Sequence, residues 1–384
     1  MVNLVSVKSK QLNVIGEISA VYNKCNMLYG VQKAPNISDT IILINLLDGA
    51  SYSIDLLKPR WRDWYDKLFA VSSDQRYVAL LYEDTLGPVY REFCYIYDLK
   101  NQEFLDGVIS TDMIHKTSFG VGVDVTVGHS FDYMEFLSDN DRLLLVTVSG
   151  EVMIWSMSQQ RMLWAVGSSS HTITGFALSH RFKTFVTAEN TAYVRAGMLG
   201  PHYTQYETLH LNRDHRQYKR PVGRFGKSDK LNVGDYLRLW NIYSSELLQE
   251  FDIQTQIEHL QFSPSDSLLA GTEMRVIRKF KHRRSYGLGN VAIWNIKTGQ
   301  KIQTLPEPAK PIGFTQDDGY LVVQLDDTQI RFWDVQTESW HESYQFDGVI
   351  TSAQMTDNDT MVALERRDKV DGLPEWYIHQ IVLD

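Results

Sequence analysis

The sequence predicts an all-β protein: a closed seven-bladed β-propeller of four-stranded blades, each blade a copy of one unit. Three observations predict it. The first is a recurring hairpin, in which an apolar strand ends on an aromatic and a small polar residue, turns, and starts again. It reads "VMIWSMSQQRMLWAV" (152–166), "LRLWNIYSSELLQEF" (237–251), "VAIWNIKTGQKIQTL" (291–305) and "IRFWDVQTESWHESY" (330–344). The second is that a pair of apolar segments around a polar turn precedes each copy, as in "IEHLQFSPSDSLLAGTE" (257–273) before Trp294. The third is the absence of any sustained helical period. Short strands at even spacing, separated by turns of Asp, Asn, Gly and Ser, mean an all-β repeat.

Taken in order, the units are strand, turn, strand, turn, strand, turn, strand. The first ends in "ILINLLDG" (42–49). In the second, "LFAVSSDQRYVALLYED" (68–84) leads to "CYIYDLKN" (94–101) and Tyr97. In the third, "DYMEFLSDNDRLLLVTVS" (132–149) leads to Trp155, and in the fourth "ITGFALSHRFKTFVTAEN" (173–190) leads to Trp240. The fifth carries Trp294, and in the sixth "IGFTQDDGYLVVQLDD" (312–327) leads to Trp333. The seventh, "ITSAQMTDNDTMVALERR" (350–367) and "WYIHQIVLD" (376–384), supplies three strands only. The orphan segment "NLVSVKSKQ" (3–11) is expected to complete it as the outermost strand. A four-stranded sheet has two apolar faces and cannot bury both alone. Stacking the sheets in a ring buries each against its neighbours, and closing the ring removes exposed edges.

On these residues the chain resembles the WD-repeat propellers. Trp333-Asp334 is the Trp-Asp dipeptide itself, and Trp240-Asn241, Trp294-Asn295 and Trp155-Ser156 are drifted versions. Gly128-His129 stands where that family places a Gly-His pair. The resemblance implies a hydrogen-bonded chain of His129, Thr147 and Trp155 in the third unit, with Ser149 where the family has Asp. It also implies that Asp327 holds the family's Asp position in the sixth unit, which lacks the His. His259 and His379 lie in strand patterns and read as partly buried, satisfied side chains.

The chain has 384 residues, 43% hydrophobic and 12% aromatic, which suits one continuous core built from repeats over 1–384. A net charge of −9 argues against wholesale binding to nucleic acid or an anionic membrane. Cys25 and Cys94 make neither a disulfide framework nor a zinc site. The start, "MVNLVSVKSKQLNVIGE", lacks the apolar core of a signal peptide, and no window has the roughly 20 apolar residues of a membrane helix. The expectation is an intracellular protein of the cytoplasm or nucleus, with no membrane contact.

Departures from the repeat are where function is sought. The tryptophans of the fifth and sixth units are 39 residues apart, but those of the third and fourth are 85 apart. The excess is a long basic insertion, 191–234, between the second and third strands of blade 4. A second insertion, 274–289, occupies the same place in blade 5. Residues 201–234 carry +4 and residues 274–289 carry +6, so the rest of the chain carries −19. In the family such loops leave one face, so both should lie side by side. The candidate partner-binding residues are Arg213, Arg216, Lys219, Arg220 and Arg224 in the first insertion, and Arg275, Arg278, Lys279, Lys281, Arg283 and Arg284 in the second. Trp61 and Trp64, interleaved with Arg60 and Arg62 in "KPRWRDWYDK" (58–67), are added as candidate hot spots or blade-junction fillers.

Three readings of these loops stay open: solvated charge that prevents association, an acidic or phosphorylated protein surface, or a nucleic-acid strand or phosphoinositide. Phosphoinositide-binding propellers carry Phe-Arg-Arg-Gly, and His282-Arg283-Arg284-Ser285 is not that motif. No phosphate loop or catalytic constellation is legible, and His210, Asp214 and His215 fit no strong metal spacing. The expected function is therefore a non-enzymatic interaction scaffold without cofactor or metal, binding a protein partner on the insertion face. A nucleic-acid module using the same loops is the alternative.

Overall fold

The structure, a computed structural model, describes residues 4–12, 18, 20–24, 27–33, 40–47, 50–55, 69–84, 91–105, 109–110, 131–147, 152–166, 172–190, 235–244, 246–280, 283–356, 358–369 and 374–383. They form a seven-bladed propeller, and all of their regular structure is β. Strand β1 (Leu4–Gln11) opens the chain. Blade 1 is β2 (Ala20–Lys24), β3 (Met27–Lys33), β4 (Thr40–Asn45) and β5 (Ser51–Asp55). Blade 2 is β6 (Phe69–Val71), β7 (Tyr77–Asp84) and β8 (Arg91–Asp98), with two short pieces, β9 (Glu103–Phe104) and β10 (Ile109–Ser110), both paired to β8. Blade 3 is β11 (Phe131–Phe136), β12 (Arg142–Thr147), β13 (Val152–Ser156) and β14 (Arg161–Val166). Blade 4 is β15 (Thr172–Leu178), β16 (Thr184–Asn190), β17 (Asp235–Asn241) and β18 (Leu247–Phe251).

Blade 5 is β19 (Ile257–Phe262), β20 (Leu268–Glu273), β23 (Asn290–Asn295) and β24 (Lys301–Pro308), interrupted by a separate hairpin of β21 (Arg275–Phe280) and β22 (Arg283–Gly287). Blade 6 is β25 (Lys310–Phe314), β26 (Tyr320–Gln324), β27 (Gln329–Asp334) and β28 (Ser339–Gln345). Blade 7 is β29 (Val349–Met355), β30 (Thr360–Arg367) and β31 (Glu375–Leu383), completed by β1.

The polar residue after each aromatic makes the recurring hairpin possible. Its side-chain oxygen accepts backbone N–H groups of the turn that follows. Asp98 accepts from Lys100 and Asn101 at 2.9 and 3.0 Å, Asn241 from Tyr243 and Ser244 at 2.8 and 3.0 Å, and Asp334 from Gln336 and Thr337 at 2.8 and 2.9 Å. Asn45, Ser156 and Asn295 do the same toward Leu47, Gln159 and Thr298. Four residues after the polar one, Gln102, Gln160, Gly299 and Glu338 take left-handed φ of 57°, 47°, 69° and 52°. The ladder slips at the adjacent tryptophan in blades 3 to 6. A type I turn with a left-handed residue and a bulge is a standard way to close a longer hairpin.

The inner hairpins repeat as well. Ser72, Ser179, Ser263 and Thr315 accept the N–H of Tyr77, Thr184, Leu268 and Tyr320 at 2.8 to 3.1 Å. In several of these turns the left-handed residue reaches the turn of the preceding blade. Asn140 accepts Ser73 N–H at 2.9 Å, Asp266 accepts His180 N–H at 2.8 Å, and Asp359 accepts Gln316 N–H at 2.7 Å. The blades are thus stitched to one another on the face opposite the insertions.

Apolar clusters fill every junction. One spans blades 1 to 3, around Tyr29, Leu80 and Trp155. Others join blades 3 and 4 (Ile154, Phe185), 4 and 5 (Leu237, Trp294), 5 and 6 (Ile293, Trp333), 6 and 7 (Phe332, Met361), and 7 and 1 (Trp376, Leu46). The last closes the circle. There β1 runs antiparallel to β31, from Ser6 opposite Val382 to Gln11 opposite Tyr377.

A buried polar group crosses this seam. His379 Nε2 lies 2.6 Å from Glu365 Oε2, and Ser9 Oγ of β1 lies 2.8 Å from His379 Nδ1. Arg367 donates twice to Glu365, at 3.0 and 2.9 Å, and Gly348 N–H donates to it too. The His379 ring stands edge-on to Phe346 at 5.0 Å. Burial alone would raise the Glu365 carboxyl, but the bonds from Arg367, His379 and Gly348 outweigh it and leave the group below its ordinary value.

Two outcomes are expected. Deleting residues 1–11 uncovers β31 as an edge, so the truncated chain should lose solubility or melt well below the full chain; unchanged melting would refute closure by β1. Glu365→Gln should cost about 3 kcal/mol near neutral pH, the low end for a broken buried pair because Arg367 is partly exposed. Because the folded pKa of Glu365 is depressed, its contribution is present above the ordinary carboxylate value and is lost as pH falls through the folded one. Denaturant curves should therefore show the gap between wild type and variant closing below about pH 4.

Candidate interaction face

Antiparallel pairing puts the link between the second and third strands of every blade at one end of the molecule, together with the connections from blade to blade. In blade 4, β16 and β17 pair to their ends at Asn190 opposite Asp235, so residues 191–234 leave and return there. In blade 5, the segment 274–289 starts and ends at the same level. The two insertions therefore emerge from neighbouring blades on one face.

The blade 5 insertion, expected as a loop, is the hairpin β21–β22. "RVIRKF" is rich in β-branched and aromatic residues, which suit a strand. Its register sets Val276 opposite Tyr286, Lys279 opposite Arg284, and Phe280 opposite Arg283, with a slip at Ile277. The root is held from both sides. Met274 N–H donates to Gln256 at 2.8 Å, Thr255 Oγ1 donates to Met274 C=O at 2.8 Å, and Ala309 N–H donates to Gly289 C=O at 3.1 Å. Gly289 lies so close to the Glu273 carbonyl that a Cβ would sit 1.8 Å from its oxygen, so only glycine fits. Arg275 is exposed, and so are Val276 (41%) and Ile277 (57%).

At the insertion-face end of blade 4 lies a buried polar chain. Trp240 Nε1 donates to Thr187 Oγ1 at 2.9 Å, and Thr187 donates to Glu189 at 2.7 Å. Arg238 donates to Glu189 and to Glu250, each at 2.8 Å, and its guanidinium stacks 4.0 Å from the Tyr236 ring centroid. Burial pushes the Glu189 carboxyl up despite Arg238, and the nearby Glu250 charge adds to the rise.

The resemblance assigned a His-Thr-Trp chain to blade 3. His129 lies outside the described residues. Thr147 pairs with Phe131 at the end of β12, and Trp155 is buried in the blade 1–3 cluster. In blade 6, Asp326 takes the turn by accepting from Thr328 N–H at 2.7 Å. Asp327 is exposed and lends its backbone carbonyl to Ile350 N–H at 2.7 Å. The reason is geometric: an Asx turn needs the acid two residues ahead of the N–H it accepts. Trp333 Nε1 bonds Gln303 of blade 5 at 3.0 Å, and Asp334 caps its own hairpin. Trp294 is fully buried, with no partner for its Nε1 among the described residues. Gly271 stands at the position of Thr187, and a Cβ there would come within 2.8 Å of Ile257 and Leu260.

One position recurs unannounced. Glu189, Glu273 and Glu365 each lie four residues beyond the residue paired with the tryptophan or its counterpart, in blades 4, 5 and 7. Each finds a cation: Arg238, Lys301 at 2.9 Å, and Arg367. The only signal in the sequence is an acid closing the second strand in "FVTAEN", "LLAGTE" and "VALERR".

Near the inner edge of this face, His259 sits at a bulge with φ of 53°, 4.0 Å from Glu258. Burial, with Lys310 nearby, holds its imidazole down to about 4, so the ring is neutral at pH 7. Among the described residues no group of three or more His, Cys, Asp or Glu could hold a metal ion. Also among them, no helix is long and apolar enough to cross a membrane.

Of the proposed contact residues, Arg275 is an exposed side chain at the hairpin root, while Arg278, Lys279, Arg283 and Arg284 occupy its strands. Lys281, Arg213, Arg216, Lys219, Arg220, Arg224, Trp61, Trp64 and the 210–215 histidine pair lie outside the described residues. No protein-family model matches the chain, and no curated protein matches it.

The two tryptophan sites make a paired test. Trp240→Phe removes the donor of a buried hydrogen bond to Thr187, whereas Trp294→Phe removes a donor that has no partner among the described residues. Chemical denaturation should find Trp240→Phe more costly by about 1–2 kcal/mol. Equal costs would mean that the blade 4 chain contributes nothing to stability.

Proposed function

We propose that this propeller is a WD-repeat-like interaction scaffold without catalytic activity of its own, acting inside the cell. Its partner is a protein with an acidic or phosphorylated surface, held on the face that carries the blade 4 and blade 5 insertions. The observation that carries the reading is the β21–β22 hairpin. It raises a segment with six Lys and Arg and no acid on the insertion face, beside an insertion that is itself net positive. The remainder of the chain is strongly acidic, so the field is divided between this patch and the ring. Such a division steers an acidic partner to one place and speeds its association. Bonds to both flanking connections hold the hairpin root, which fixes where the basic segment leaves the blade. Trp61 and Trp64, in the connection from blade 1 to blade 2, are candidate apolar contacts of the same partner.

The test reverses Arg278, Lys279, Lys281, Arg283 and Arg284 to Glu. The melting temperature should stay within a few degrees of wild type, because these residues lie outside the blades. Pull-down from nuclease-treated extract should lose the acidic partner. Retention of every partner by the folded variant would reject the patch. Loss of nucleic acid alone, with a steep salt dependence, would move the assignment to a nucleic-acid module.

A further inference from the structure

Resting on that reading of the basic face, we infer that the blade 5 hairpin binds its partner by strand addition: an extended acidic segment pairs with an edge of β21–β22 as a third strand. Among the described residues β21 and β22 pair only with each other, as a two-stranded sheet apart from the four strands of blade 5. Two-stranded ribbons are marginal in water, and a third strand is what usually stabilises them. An unpaired edge is also a row of main-chain donors and acceptors ready for another chain.

Charge says which chain. Lysines and arginines on an edge commonly serve only to keep other strands away. That role does not require like charges across the ladder, yet Lys279 is set directly opposite Arg284, an arrangement that destabilises an isolated hairpin. A strand bearing carboxylates relieves this repulsion, whereas a second copy of the same hairpin doubles it. The proposed occupant is therefore an acidic segment of another protein, not a second copy of this hairpin. Its apolar requirement can be read too. Val276 and Ile277 are exposed at 41% and 57% next to the slip in the ladder, an apolar step unlike the cationic positions beyond it. Side chains of an added strand alternate between faces, so acidic residues alternating with β-branched ones meet both features.

The antiparallel ladder also supplies the main-chain contacts. Phe280 and Arg283 close the turn, so the next pair, Lys279 and Arg284, directs its N–H and C=O groups away from the hairpin. Those outward groups are the ones a third strand would take up.

The probe is a fluorescein-labelled ten-residue peptide of alternating Glu and Val, measured by anisotropy against the full chain. Two partners of equal charge carry N-methyl groups, one on every Val and one on every Glu. Strand addition expects the parent peptide to bind, and at least one methylated peptide to bind about tenfold more weakly or worse, the effect of losing a few main-chain hydrogen bonds. Both methylated peptides binding within twofold of the parent would overturn strand addition. So would failure of the parent peptide to bind, or binding of a single-stranded oligonucleotide in its place. The variant with the five cations reversed separates this inference from the reading beneath it. If that folded variant still binds the parent peptide, the basic face itself is refuted. If it loses the peptide while methylation has no effect, the basic face stands and strand addition falls.

Discussion

Closure of the ring is the constraint on which the rest of this structure depends. Each blade has two apolar faces, and each face is buried only because another blade stands against it. A gap at any junction would expose two such faces at once. The last junction cannot be formed by chain-neighbours, so β1 crosses to pair with β31 from the other end of the sequence. The seam carries the apolar cluster of Leu12, Leu46, Trp376 and Ile378 as well as the Ser9–His379–Glu365–Arg367 group. A buried polar group at such a place adds selectivity, because only the correct register satisfies it. The loop-closure entropy grows only slowly with chain length, so a distant strand is an affordable clasp.

Within that ring the repeats have drifted unevenly, and the drift follows the physics of polar burial. Turn caps are kept from blade to blade because each satisfies backbone groups that every hairpin leaves open. The polar chain inside a blade is free to vary, since any fully satisfied arrangement serves equally well. Blade 4 joins an indole, a hydroxyl and an ion pair, and blade 7 joins an imidazole to a carboxylate and a guanidinium. The carboxylates of blades 4 and 7 occupy equivalent positions yet shift in opposite directions. Glu365 gathers donors from Arg367, His379 and Gly348 that outweigh burial, whereas at Glu189 burial wins despite Thr187 and an Arg238 shared with Glu250.

The same rigidity explains how long insertions are tolerated. Strands β16 and β17 pair to their ends before the blade 4 insertion begins. In blade 5 the hairpin root is bonded to the connections on either side, which anchors the insertion at its base. A scaffold of this kind can change what it presents without altering what holds it together.

The sequence by itself determined the architecture. Alternating apolar strands, the aromatic-polar step at Trp240-Asn241, Trp294-Asn295 and Trp333-Asp334, and the orphan first strand were enough for seven blades and their closure, because period and turn chemistry are local properties of the chain. The place of the insertions was legible for the same reason, as an interruption of an even spacing. What only the tertiary structure decided were the non-local pairings. It paired Arg275–Phe280 with Arg283–Gly287 so that Lys279 stands opposite Arg284 in the register, linked Trp240 through Thr187 to Glu189, and gave the blade 6 turn to Asp326. It also joined Ser9 to His379 and Glu365, residues that no spacing relates. Whether a buried carboxylate finds a cation depends on which strands lie side by side and in what register. That is settled only when the sheets assemble, since a one-residue slip would turn every one of these side chains to the other face.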